Sequence, residues 1–92
     1  MAYGVKILRA AQGALRDLPK KERQRIAQKI DALQNEARPQ GSKKLKGEEK
    51  LHRIRIGRYR VVYEIDDAKK TVEIQVVGHR REIYRKGARH HR

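Results

Sequence analysis

Leu51-His52-Arg53-Ile54-Arg55-Ile56-Gly57-Arg58-Tyr59-Arg60-Val61-Val62-Tyr63-Glu64-Ile65 is the stretch that decides the fold. Its first six residues put His52, Ile54 and Ile56 at every second position with Arg53 and Arg55 between them, the two-residue period of a strand buried on one face. Gly57-Arg58 then reads as a two-residue turn with Gly first, as a type II′ hairpin requires. Tyr59, Val61, Tyr63 and Ile65 carry the apolar face back, leaving Arg60, Val62 and Glu64 opposite. Tyr59, Tyr63 and His52 are expected in the core, the histidine as a packed residue rather than a catalyst.

Downstream, Asp66 to Lys70 reads as a turn and Thr71 to Val77 as a third strand, with Val72, Ile74 and Val76 inward, Glu73 and Gln75 outward, and Gly78 at its end. Upstream, Arg38-Pro39-Gln40-Gly41-Ser42 holds the breakers that open a polar loop running to about Lys50. Before it, Ile26, Ile30, Leu33 and Ala37 recur at helical spacing, which predicts an amphipathic helix from about Pro19 to Glu36 with the proline in its first turn. Ala10 to Leu18 predicts a helix preceding it, and Tyr3, Val5 and Ile7 alternate as an opening strand. The fold expected is α+β: a small, mainly antiparallel sheet in β-α-α-β-β-β order, with a helical hairpin packed on one face. Residues 1–85 form the single domain, and residues 86–92 a basic C-terminal tail.

The chain has 92 residues and no Cys, so disulfides and a thiol nucleophile are excluded. It carries 25 Lys and Arg against 11 Asp and Glu, a formal net charge of +14, an excess that points to a polyanionic partner. With 37% hydrophobic residues and neither Phe nor Trp, the core rests on Leu, Ile, Val, Ala and Tyr. A chain this short buries roughly 60 to 70% of its unfolded surface, which leaves little for a deep cavity, so no cofactor is expected. No run approaches the ~20 apolar residues of a membrane span, and the first residues lack the pattern of a secretion signal. A cytoplasmic protein without membrane contact is the expectation.

Since only one sheet face is apolar, the helices must cover that face and leave Arg53, Arg55 and Arg60 on the other, with Arg80 arriving just past the last strand. Like charges side by side cost stability unless an anion is to be held there, and the planar guanidinium donates two hydrogen bonds at once to phosphate. The plainer alternative is a solvated face on which Glu64 and Glu73 pair with the arginines. On RNA such a face can act because the 2′-OH is a built-in nucleophile: arginines stabilise the charge building on phosphorus, and Tyr84 or His79 handles the proton. Lys43, Lys44 and Lys46 lead into the arginine strand and extend a phosphate track. His90 and His91 lack a carboxylate at metal-binding spacing, so no metal site is expected, and Asp66-Asp67 reads as a turn pair.

Lys44-Leu45-Lys46-Gly47, the hairpin Leu51 to Ile65, and Val77-Gly78-His79-Arg80-Arg81-Glu82-Ile83-Tyr84-Arg85 together resemble the RelE/ParE toxin superfamily, on its RelE side. The resemblance implies a toxin of a type II toxin-antitoxin pair that cleaves mRNA in the ribosomal A site, leaves a 2′,3′-cyclic phosphate, and is silenced by an acidic RelB-like antitoxin wrapped around it. It assigns the catalytic positions to Arg53, Arg55, Arg60, Arg80 and Tyr84, with Lys44, Lys46, His79, Arg81 and Arg85 as further nucleic-acid contacts. Familiar members have lysines where this chain has Arg53 and Arg55, and a guanidinium holds its proton too tightly to be a general base. Two other readings stand beside it: a ParE-like gyrase poison, and a basic module that binds RNA or its antitoxin without catalysis.

Overall fold

The hairpin forms as its alternation requires. In the computed structural model, which describes residues 2–47 and 50–79, strand β3 (Leu51–Ile56) pairs antiparallel with β4 (Tyr59–Asp66), from Leu51 opposite Glu64 to Ile56 opposite Tyr59. Gly57 sits at φ +61° and Arg58 does not share the positive φ, which is the type II′ pattern. Strand β5 (Thr71–His79) continues the antiparallel meander, and the opening strand β1 (Gly4–Ile7) joins β5 in parallel. The expected α+β arrangement is what the chain adopts.

Two helices, α1 (Arg9–Arg16) and α2 (Lys20–Ala32), lie between β1 and the meander. Pro19 caps α2 with ψ 146°, one residue before the position expected for it. The helix stops short of Glu36 because its last amides bond three residues back: Leu33 to Ile30, Gln34 to Asp31 and Asn35 to Ala32. That tightening ends the α-helix while still delivering Leu33 and Ala37 to the core, where they are 1% and 3% exposed. Ile26, Ile30 and Ala11 pack from the helices against Ile54, Ile56, Val61, Tyr63, Ile65, Val72, Ile74 and Val77 from the sheet.

Two sequence expectations are corrected. The segment after Pro39 is not loop throughout: Lys43–Lys44 forms a short edge strand, β2, which pairs antiparallel with β3 and brings the sheet to the order β1-β5-β4-β3-β2. In β5 the inward valine is Val77 rather than Val76. The register slips between Val62 and Tyr63, so Val62 faces Val76 while Tyr63 faces Ile74, leaving Gln75 as an extra residue. A bulge of this kind reverses the facing of every later side chain on its strand.

Polar groups tie the layers together. Tyr63, fully buried, donates its hydroxyl to the Ala37 carbonyl at 2.9 Å, anchoring the chain as it leaves α2. Tyr3 donates to Asp67 Oδ1 at 2.7 Å, and Arg38 donates to both oxygens of that carboxylate at 3.3 and 2.9 Å, joining the start of the chain, the loop after α2 and the β4–β5 turn. These partners hold the Asp67 carboxyl below its ordinary range.

His52 is 6% exposed and stacks on Tyr63 with ring centroids 5.9 Å apart. Burial is the main influence lowering its pKa, aided by the charges of Arg38 and Lys44 and opposed by the Lys50 carbonyl and Asp67. The protonated ring is disfavoured in the folded state, so stability is lost as pH falls below the unfolded value near 6.5. Melting temperatures taken from pH 7.5 to 5 will fall more steeply for the wild type than for His52→Gln. Parallel curves for the two proteins would show that His52 does not carry this dependence.

Candidate nucleic-acid interface

Side chains opposite one another on paired strands share a face. Arg55 lies opposite Arg60 on β3 and β4, and Arg53 lies opposite Val62, with Arg60 in turn opposite Gly78 on β5. All three arginines therefore emerge on the sheet face away from the helices, within two rows of residues spaced ~6.6 Å apart along the strands. Arg55 is exposed; Arg53 and Arg60 are half-buried. Among the described residues, Arg53 and Arg55 have no ion pair.

Edge strand β2 separates two lysines that the sequence places on one phosphate track. Lys43 stands opposite Arg53 and so joins the arginine face, whereas Lys44 stands opposite His52 and points to the helix side. Both are exposed. Alternation would have separated the two lysines in the sequence had the segment been recognised as a strand; two residues among breakers give no such signal. Lys46 lies just past β2, exposed. His79 ends β5 opposite Tyr59, their rings edge to face at 5.9 Å, which places it on the helix side at the sheet's rim rather than among the arginines. Arg80, Arg81, Tyr84 and Arg85 lie outside the described residues.

Among the described residues, the two carboxylates on this face share another partner. Glu64 and Glu73 face each other across β4 and β5 one row beyond Arg53 and Val62, and the bulged Gln75 donates to both, at 3.4 and 3.2 Å. The face is thus divided into a basic half, Lys43, Arg53, Arg55 and Arg60, and an acidic corner with Lys6 opposite Glu73. Between them runs an apolar strip: Leu51, Val76 and Val62, the last only 7% exposed. Fixed guanidiniums two rows deep beside a low-polarity strip suit a chain of phosphates better than a single small anion. Among the described residues no three His, Asp or Glu side chains gather as a metal site would need, and no helix is long and apolar enough to cross a membrane.

Residues 5–84 match the family model described as the ParE toxin of the type II toxin-antitoxin system parDE. The chain belongs to that family, within the RelE/ParE superfamily, and is a type II toxin. No curated protein matches it. Solved structures agree on the fold. The archaeal RelE of the RelE–RelB complex from Pyrococcus horikoshii OT3 is 34% identical, with 87% of this chain and 97% of that one covered at a TM-score of 0.78. The RelBE2 toxin-antitoxin complex of Mycobacterium tuberculosis gives 30% identity, 87% and 100% coverage, and a TM-score of 0.77. A mutant of the E. coli toxin RelE in the free state gives 26% identity, 98% coverage of both chains and a TM-score of 0.79. The matching family model carries the ParE name and these structures the RelE name, so the target of this toxin has to be argued from its site.

The arginine face carries a stability cost that can be measured. Arg55 and Arg60 are like charges directly opposite one another, an arrangement that destabilises a sheet by roughly 0.2 to 1 kcal/mol. Arg55→Thr will therefore raise stability to urea, more so at low salt; a destabilised or unchanged variant would show that the pair is not in conflict.

Proposed function

We propose that this toxin is a ribosome-dependent mRNA endoribonuclease. The observation that carries the reading is the convergence of Arg53, Arg55 and Arg60, in two adjacent rows of β3 and β4, on the sheet face away from the helices.

The chemistry follows from charge and geometry. With mRNA lying along the strands in the ribosomal A site, the 2′ oxygen attacks the adjacent phosphorus; the bond from phosphorus to O2′ forms as that to O5′ breaks, giving a 2′,3′-cyclic phosphate and a 5′-hydroxyl. Arg60, flanked by the short Gly78, meets the charge building on the non-bridging oxygens, and Arg53 and Arg55 hold the phosphate in line. Arg80 assists Arg60. Tyr84 takes over the proton traffic, accepting from the 2′-OH and supplying the leaving oxygen, since His79 sits on the other side of the sheet. Lys43 replaces Lys44 as the cation at the strand edge, with Lys46, Arg81 and Arg85 as outer contacts. No step asks for a metal, so cutting should persist in EDTA at magnesium levels that keep ribosomes intact. The toxin works in the cytoplasm, and an acidic RelB-like antitoxin silences it by covering this cationic surface; related RelE structures are complexes with RelB.

In a translating extract, the wild type will cut mRNA within codons, mapped by primer extension, and Arg60→Ala will lower the rate by roughly 10²- to 10³-fold, the usual effect of losing one charge-stabilising donor. Equal cutting by both proteins would remove the site assignment. The match to the ParE family model favours one other target, DNA gyrase. Inhibition of gyrase supercoiling without mRNA cutting would replace the nuclease reading, and RNA binding with neither activity would reduce the chain to a binding module.

Binding to an uncleavable 2′-O-methyl RNA strand separates the two lysines. Each phosphate contact contributes a slope of about −0.7 to log affinity against log salt. Lys43→Ala will flatten the slope by about that amount and Lys44→Ala will leave it unchanged; the reverse outcome would contradict the register of β2.

A further inference from the structure

The bulge in β5 gathers unlike chemistries on the open face. Val76 stands opposite Val62 there, and Gln75, the extra residue, reaches Glu64 and Glu73 on the same side. Bulges recur beside functional sites, where they re-aim a side chain. Lys43, Arg53, Val62 and Val76 form one row across four strands, with Gln75 next to its far end. At ~4.8 Å between neighbouring strands, Arg53 on β3 and Val76 on β5 lie about 10 Å apart. That distance is comparable to the reach from a phosphate to the far edge of its own base.

The amide at the end of this row is fixed in orientation. Gln75 is half-buried, and its Nε2 donates to Glu64 Oε1 at 3.4 Å and to Glu73 Oε1 at 3.2 Å, which uses both of its hydrogens. Oε1 is the end left over, and it has no hydrogen bond to a described residue. An amide oxygen accepts and cannot donate. With the amide nitrogen turned to the carboxylates, the row therefore ends in acceptors alone, which attract an N–H of a ligand and repel a carbonyl oxygen.

We propose that this row seats one nucleotide of single-stranded RNA and that Gln75 is a specificity-determining residue favouring amino-bearing bases over uracil. Arg53 and Lys43 hold the phosphate, Val76 packs against the face of the base above Val62, and Gln75 Oε1 accepts from the amino group on the base edge. Cytosine has an amino group where uracil shows a carbonyl oxygen, and adenine and guanine carry amino groups as well. The order of charge decides the occupant: cationic, then apolar, then acceptor-only matches phosphate, base face and base edge in turn. An acidic peptide would satisfy the first part of the row alone, and a duplex keeps its base edges paired, whereas a splayed single strand offers them. With the backbone running along β3 and β4, the bases lean toward β5. This subsite presupposes that the open face seats single-stranded RNA, as proposed above, and adds which bases it takes.

Cytosine and uracil are nearly the same size and differ at the edge that Gln75 would read, so they make the test. Binding of the full chain to 2′-O-methyl hexamers of cytidine and of uridine is measured by fluorescence anisotropy across a salt series. The wild type will bind the cytidine strand about fivefold more tightly, the effect of one net hydrogen bond. Gln75→Leu will bind the two strands within twofold of each other and keep the wild-type salt slope, because the phosphate contacts are intact. Gln75→Lys, which still bridges Glu64 and Glu73 but offers a donor, will prefer the uridine strand; should the leucine variant fail to fold, this variant decides alone. Arg53→Gln will weaken both strands equally and leave their ratio as it was. A wild type that binds both strands alike, or a cytidine preference that survives both Gln75 variants or disappears with Arg53, would overturn the proposal. The hexamers have no free 2′-OH, so the ratio is independent of cleavage. A chain that cuts mRNA in extract without this preference would refute the subsite and leave the nuclease reading, and one that shows the preference without cutting would do the reverse.

Discussion

Everything functional on this sheet depends on the alternation of β3. His52, Ile54 and Ile56 are each under 8% exposed beneath the helices, and the residues between them are arginines. Because successive strand side chains point to opposite faces, burying the first set leaves Arg53 and Arg55 no other direction. A one-residue slip of β3 against β4 would drive two guanidiniums into a core that lacks a carboxylate to receive them, at a cost far above what so small a domain can bear. The core thus enforces the geometry of the site, and the site needs no dedicated scaffold.

This division shapes the electrostatics. Folding uses the helix-side face, where charges are excluded and polar atoms are satisfied singly, as in the Tyr63 hydroxyl on the Ala37 carbonyl. The other face holds like charges opposite each other beside Val62, which is only 7% exposed. Such conflict is tolerable since each exposed pair costs only a fraction of a kcal/mol, while the helical layer and the four strand pairings supply the stability. Binding a polyanion would relieve it, which is how a marginal local arrangement becomes a source of affinity.

The hairpin, the opening strand, both helices and the buried His52 were legible in the sequence because each carries a period long enough to read. Gly57 at the first turn position and the breakers after Arg38 marked where those periods change. What escaped notice were features without a period of their own. Lys43–Lys44 is a strand only because β3 is there to pair with it, and two residues show no alternation. Gln75 interrupts a run, Val72 to Val77, in which Val76 and Val77 are interchangeable as apolar residues; which one is buried is set by the partner strand. The shortening of α2 was hidden for a similar reason, since Leu33 and Ala37 keep helical spacing although the backbone has already tightened. Arg53, Arg55 and Arg60 share a face as the alternation predicts, while the register sets Lys44 and His79 on the opposite side of the sheet.

The extra residue in β5 has a consequence for how such a molecule changes over generations. Before Gln75 the strand keeps phase with the core through Val72 and Ile74; after it, the phase is reset, and Gly78 rather than a branched valine becomes the neighbour of Arg60. One inserted position therefore uncouples the two ends of a single strand. Substitutions that tune the business end can accumulate without disturbing the packing of the other, and this small domain gains a tolerance to drift that an unbroken ladder would deny it.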